Sequence, residues 1–261
     1  MSFWTRLAAW LNPPDPGPVV FDPAWIAILE ANVPLYQHLP ADLRETLHQQ
    51  IARFVRDKHF EACGGLTLTD EMVLTVAGQA CVLCLKLPGP PFPRLRSILL
   101  YPAAYRARER LVDELGIVVE REVVRLGESS SRGTIVLAWN AVLSGARNTF
   151  DGHNVTLHEF AHQLDQADGR ADGTPFLRAP EHYARWTHVL TDGHARLERL
   201  AADGKRTVLD TYGATNPAEY FAVATEAFFE KPRQLARKRP DLYAELQTYY
   251  QLDPQTWYSK G

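Results

Sequence analysis

The stretch NVTLHEFAHQLDQAD, residues 154–168, sets two histidines four apart with a glutamate directly after the first. On an α-helix, residues four apart share a face and stand about 6 Å apart along the axis. His158 and His162 can therefore aim their imidazoles at one point, a standard spacing for a pair of zinc ligands. The glutamate next to the first histidine lies beside the open coordination position, which makes Glu159 a candidate general base. A zinc ion lowers the pKa of bound water from near 16 to about 7. A carboxylate within reach takes the water's proton and passes it to the leaving amine. The competing reading is an ordinary amphipathic helix whose solvated face has this composition, and a third ligand would separate the two.

One source for that ligand is the next turn, by the pattern H-E-x-x-H-x-x-G-x-x-H. Here Asp165 stands where that pattern has the glycine that makes the bend low in strain, and Asp168 where it has the last histidine. The stronger source is YGATNPAEYFAVATEAFFE, residues 212–230. Asn216 reads as an N-cap with Pro217 as the first helical residue. The helix that follows is apolar nearly all round, hence buried, and a carboxylate on it, Glu219 or Glu226, needs a partner. Zinc held by two histidines is one such partner; for Glu219 another is the N-cap amide, as in a capping box. The pattern alone leaves both open. Glu226, seven residues on and on the same face, could hydrogen-bond a ligand imidazole. Asp165, three past His162, offers the same service or is an acid in a helix C-terminal loop.

Around this core, 261 residues with 46% apolar content can bury one large domain or two small ones. A formal net charge of −3 provides no basic excess for phosphates, so direct binding of nucleic acid is not expected. Three cysteines, Cys63, Cys81 and Cys84, do not make a disulfide framework, and a reducing, cytoplasmic location fits. Cys81 and Cys84 form a C-x-x-C, but in an apolar run without a second pair to complete four thiolates, so they read as small buried hydrophobes. No run approaches the roughly 18 apolar residues of a membrane span.

NPPDPGP, residues 12–18, holds four prolines in seven and marks a linker. Residues 1–22 thus read as an N-terminal segment with its linker, and 23–261 as one compact domain. Its expected parts are a helical region over about 23–88, a small sheet over about 95–143, and helices over about 150–250. Leu43, Leu47, Ile51, Phe54 and Val55 make one helical stripe, and Thr69 before Asp70 and Glu71 reads as another N-cap. SILLYP, GIVVEREVVRL and GTIVLAW are β-branched runs between turn-forming clusters, expected as about three strands of one sheet. The class is α+β, mainly helical, with a small mixed β-sheet beside the helix that carries the two histidines.

NVTLHEFAHQLDQADGRADGTP, Tyr212 seven residues before Glu219, GGLTLTDEMVLTVAGQAC and ILLYP together resemble the Mlc titration factor A family of zinc metallopeptidases. The likeness runs over most of residues 20–235. The motif arrangement is also similar to the catalytic domain of anthrax lethal factor, a gluzincin. The resemblance implies a zincin-like fold with one zinc per chain on His158, His162 and Glu219. It further implies Glu159 as general base and acid, and Tyr212 as hydrogen-bond donor to the oxyanion. Aminopeptidase-like action on small unblocked substrates, and sequestration of a transcriptional repressor of sugar uptake, are implied in the same way. After the alanine-cysteine pair the chain departs from the family pattern with CVLCLKLPGPPFP, which bears on the length of the next loop.

Two classes of function remain. One is a zinc-dependent peptidase; the other is a regulatory binding protein in which the metal site is secondary. Gluzincin-type sites hold a substrate peptide along an edge strand, and GTIVLAW, 133–139, is the expected edge. Trp139 would then line a substrate pocket or, as a tryptophan more often does, pack in the core. The acidic DQADGRADGTP lacks the spacing of an EF-hand loop and reads as a turn-rich border of the cleft.

Overall fold

The computed structural model describes residues 20–112, 118–125, 127–130 and 133–258. The expected linker at 12–18 and the segment before it lie outside the described residues. Within the expected helical region, helices α1 (Trp25–Asn32) and α2 (Pro34–His38) are separated at Pro34, which has no amide to continue the ladder. Helix α3 (Ala41–Asp57) buries Leu43, Leu47, Ile51 and Phe54 as the stripe required, with Val55 at its edge. Thr69 caps α4 (Asp70–Val82), accepting from the Met72 amide at 3.3 Å.

The sheet departs from expectation in three ways. Strand β1 (His59–Ala62), inside the region expected to be helical, pairs in parallel with β2 (Ser97–Tyr101). The GIVVEREVVRL run does not join this sheet: β3 (Tyr105–Val112) and β4 (Val118–Arg125) form a separate antiparallel hairpin. The main sheet has the order β1-β2-β6-β5, with β6 (Thr134–Ala138) parallel to β2 and antiparallel to β5 (Gly127–Ser130). GTIVLAW is therefore an interior strand, and the edge strand beside it is GESS. The reason is visible in the side chains: Ile135 and Leu137 are fully buried, beside Ile98 and Leu100 of β2. A strand this apolar belongs inside a sheet, whereas polar β5 tolerates the edge.

The chain leaves β6 directly into α5 (Trp139–Arg147), and Trp139 packs half-buried against the core. Then come α6 (Val155–Asp165), α7 (Pro180–Ala202), α8 (Pro217–Glu230), α9 (Pro232–Lys238) and α10 (Pro240–Tyr250). Helix α6 packs on α8 on one side and on β5 and β6 on the other. The architecture is thus mainly helical with one small mixed sheet beside α6. Cys81 and Cys84 are buried free thiols in the core. Burial pushes the Cys84 thiol up to about 12, so it stays a neutral hydrophobe. Among the described residues, no helix is long and apolar enough to cross a membrane.

Candidate metal centre

Helix α6 is oriented by its apolar stripe. Leu157, Phe160, Ala161 and Leu164, spaced i, i+3, i+4 and i+7, are buried. Phe160 meets Phe92 and Phe54 with ring centroids 4.8 and 5.7 Å apart. With that stripe fixed, His158 and His162 face α8 and the cleft, their rings 4.9 Å apart. Their side chains keep only 13% and 12% of their surface exposed. A solvated polar face would not be covered this way.

Helix α8 brings the acids. Asn216 caps it, accepting from the Glu219 amide at 2.9 Å. The Glu219 carboxylate turns toward α6, where its Oε2 lies 2.9 Å from His158 Nε2 and 3.3 Å from His162 Nε2. Both imidazoles thus converge on one carboxylate oxygen. Atoms of His158, His162 and Glu219 able to ligate a metal lie within 4.8 Å of one another, and among the described residues no other group of this kind occurs. Two turns on, Glu226 Oε1 is 2.8 Å from His158 Nδ1, and its Oε2 accepts from the Asn154 amide. A His158 that donates Nδ1–H to Glu226 presents Nε2 to a metal.

The charges follow this geometry. Burial disfavours a protonated His158, but its hydrogen bonds to Glu219 and Glu226 prevail and raise its pKa well above the ordinary value. Burial likewise opposes ionisation of Glu219, yet the two histidines hold its carboxyl down to about 2. Glu159, only 7% exposed, has a raised pKa because burial outweighs the attraction of both histidines. A carboxylate in that state takes up a proton more readily than one in water.

The site opens into a cleft of about 1150 Å³ bordered by Glu159, Gly127, Glu128, Ser129 and Tyr212. Gly127 is where β5 touches the site: a Cβ there would stand 2.6 Å from Glu159 Oε1 and 2.8 Å from Val155 Cγ2. Gln163 fastens the same strand to α6, donating to Ser129 Oγ at 2.6 Å and to the Ser130 carbonyl at 3.2 Å. Tyr212, 54% exposed, stands on a 3₁₀ turn (Thr211–Ala214) with its ring 5.9 Å from that of His158. Asp210 caps the turn, accepting from the Tyr212 amide at 2.8 Å, and its other oxygen is 2.9 Å from His153 Nδ1.

Asp165 sits fully buried at the end of α6, where its described hydrogen bond is with the Gly173 amide at 3.0 Å. It thereby draws in the loop after α6, and Gly173, at φ +78° against the Pro217 carbonyl, is where that loop needs a glycine. Burial pushes the Asp165 carboxyl up to about 6 despite that amide. Asn154 is a further cap, not among those expected from the sequence. It caps α6 through the Leu157 amide at 3.0 Å, and its Nδ2 donates to Gln79 Oε1 at 2.9 Å and Glu230 Oε1 at 3.0 Å. An asparagine just before an apolar-periodic run is an N-cap signal that could have found it; Gly127 offered none.

A family model described as glucose-regulated metallo-peptidase M90 matches residues 17–251. The uncharacterized protein slr2042 of Synechocystis sp. is 42% identical over 233 residues, covering 89% of this chain and 85% of that protein. The Mlc titration factor A of Klebsiella pneumoniae is 33% identical over 230 residues, 85% of this chain and 84% of its own. Its namesake from Escherichia coli is 32% identical over 231 residues, with the same two shares.

Proposed function

The chain belongs to the family of glucose-regulated metallo-peptidases M90, and from that premise we propose a zinc-dependent peptidase with His158, His162 and Glu219 as metal ligands. The observation that carries the reading is the meeting of two imidazole Nε2 atoms on one Glu219 oxygen, with Glu159 beside them. Two neutral nitrogens and one carboxylate suit zinc, and the donor set leaves a position open for chemistry. When bound, the ion supplies Lewis acidity, which polarises the scissile carbonyl and brings water toward a pKa of about 7.

The chain's own residues do the rest. Glu159 takes the proton of the attacking water and returns it to the leaving amine. Tyr212 donates its phenol hydrogen bond to the oxyanion. Glu226 holds His158 in the ligating tautomer. Asp165 acts at one remove, through the loop it anchors. The substrate peptide lies along β5, the edge strand beside β6, whose Gly127, Glu128 and Ser129 border the cleft. We assign action to the amino end of small peptides, and a cytoplasmic location in keeping with the free cysteines.

The test is zinc content and turnover together. Purified protein should carry close to one zinc per chain. Glu159→Gln should keep the metal while hydrolysis of unblocked chromogenic amino-acid substrates falls by roughly a thousandfold. Unchanged hydrolysis in that variant would overturn the mechanism, and cleavage of blocked peptides alone would overturn the aminopeptidase assignment. A second reading, sequestration of a transcriptional repressor, is favoured by the name Mlc titration factor A that relatives bear. Repressor capture that survives both Glu159→Gln and chelation would make it a function separate from hydrolysis.

A further inference from the structure

The segment that carries Tyr212 has a cavity on each side. Asp210 and Tyr212 border the metal cleft, whereas Arg206 to Leu209 wall a second pocket of about 390 Å³. Five basic residues line that pocket: Arg196, Arg206, Arg237, Lys238 and Arg239. No acid is among its lining residues, in a chain whose 31 acids outnumber 28 lysines and arginines. Such a concentration is not what the overall charge distributes by default.

The five are not equivalent. Arg239 is 8% exposed and held from two sides, by Asp241 through bonds of 3.1 and 2.9 Å and by the Tyr220 hydroxyl at 3.2 Å. It is a fixed wall whose charge is already matched. The other four are exposed and, among the described residues, make no ion pair. They come from three places in the chain, α7, the loop after it, and the end of α9, so their convergence is a product of the fold and not of a local run. Behind them lie Leu197 and Leu209, both buried, which give the pocket an apolar floor.

We propose that this pocket is a binding site for a small phosphate monoester. Guanidinium groups present paired donors that match phosphate oxygens, and a concave wall of one sign concentrates a dianion from solution. The apolar floor suits the carbon portion of the ligand. The volume suits a small molecule rather than a protein surface.

The experiment is calorimetric titration of the full chain with inorganic phosphate and with glycerol phosphate, at fixed ionic strength, before and after metal chelation. Saturable one-to-one binding is expected, unaffected by chelation, and weakened at least tenfold in Arg206→Glu/Arg237→Glu. Both positions are exposed, and circular dichroism would check that the variant is folded. Tighter binding of the ester identifies a monoester site that uses the floor. Equal affinity for the two probes leaves the floor without a role and overturns the monoester assignment. Absence of saturable binding, or binding that is unchanged in the double variant, overturns the proposal. Binding lost on chelation would place the phosphate at the metal centre instead. Saturable binding of an acidic peptide with neither phosphate bound would replace it with a protein-docking role.

Discussion

Helices α6 and α8 lie against each other and each contributes to the same centre, but they hold their polar groups in different ways. Helix α6 is amphipathic in its sequence, though its polar side chains are covered as well: an apolar stripe anchors it, and the histidines follow by periodicity. Helix α8 is buried on every side from Tyr220 to Glu230, so periodicity gives no direction to its acids. What directs them is the requirement that a buried carboxylate find a partner. Glu219 finds the histidines, Glu226 finds His158 and the Asn154 amide, and Glu230 finds the Asn154 side chain. A charge on an amphipathic helix can be incidental; three on a buried helix each mark something across the interface.

If that division is right, removing acids from α8 should grade by what each one touches. Glu219→Ala removes a ligand and should lower zinc affinity by more than the roughly 10–100-fold that an outer hydrogen-bond partner costs. Competition with a chelator would measure it. Glu226→Gln should fall within that 10–100-fold range, and equal losses for the two would erase the distinction between ligand and positioning acid. On the α6 side, Gly127→Ala pushes a methyl group into Glu159 and Val155. Turnover should fall about tenfold, the effect of a 1–2 kcal/mol displacement, with zinc content unchanged.

The smallest effect belongs to Glu230, which touches no ligand. Burial, outweighing the hydrogen bond from Asn154 that acts the other way, raises its pKa well above 4.5. The folded state therefore binds the extra proton, and stability is full below the unfolded value and declines as pH rises through the folded one. Glu230→Gln should flatten that decline in thermal melts. A melting temperature with the same pH slope in both proteins would show that the acid is ionised in its niche.

Much of this was legible from residue pattern. The caps at Thr69 and Asn216, the stripe of α3 and the histidine spacing are local signals, and each is where the pattern put it. Strand neighbours are not local: GTIVLAW announces a buried strand but not which strand covers it, and GESS lacks β propensity altogether. His59–Ala62 was hidden because it directly follows a long helix and is only four residues long. Tyr212 is an exposed aromatic on a short turn, and nothing in its neighbours in sequence distinguishes it from other tyrosines. The likeness to the family pattern singles it out, and its closeness to His158 agrees.

Asn154 has a consequence for how the centre comes apart. Its backbone amide, its side-chain oxygen and its side-chain nitrogen tie Glu226, the first turn of α6, Gln79 of α4 and Glu230 into one knot. The first turn of a helix ordinarily frays on its own, exchanging its amide hydrogens long before the core opens. Here fraying would strand buried polar groups on three helices at once. The end of α6 that carries His158 is thus tied into the buried core, so a metal ion bound by the proposed ligands should leave no faster than the core opens.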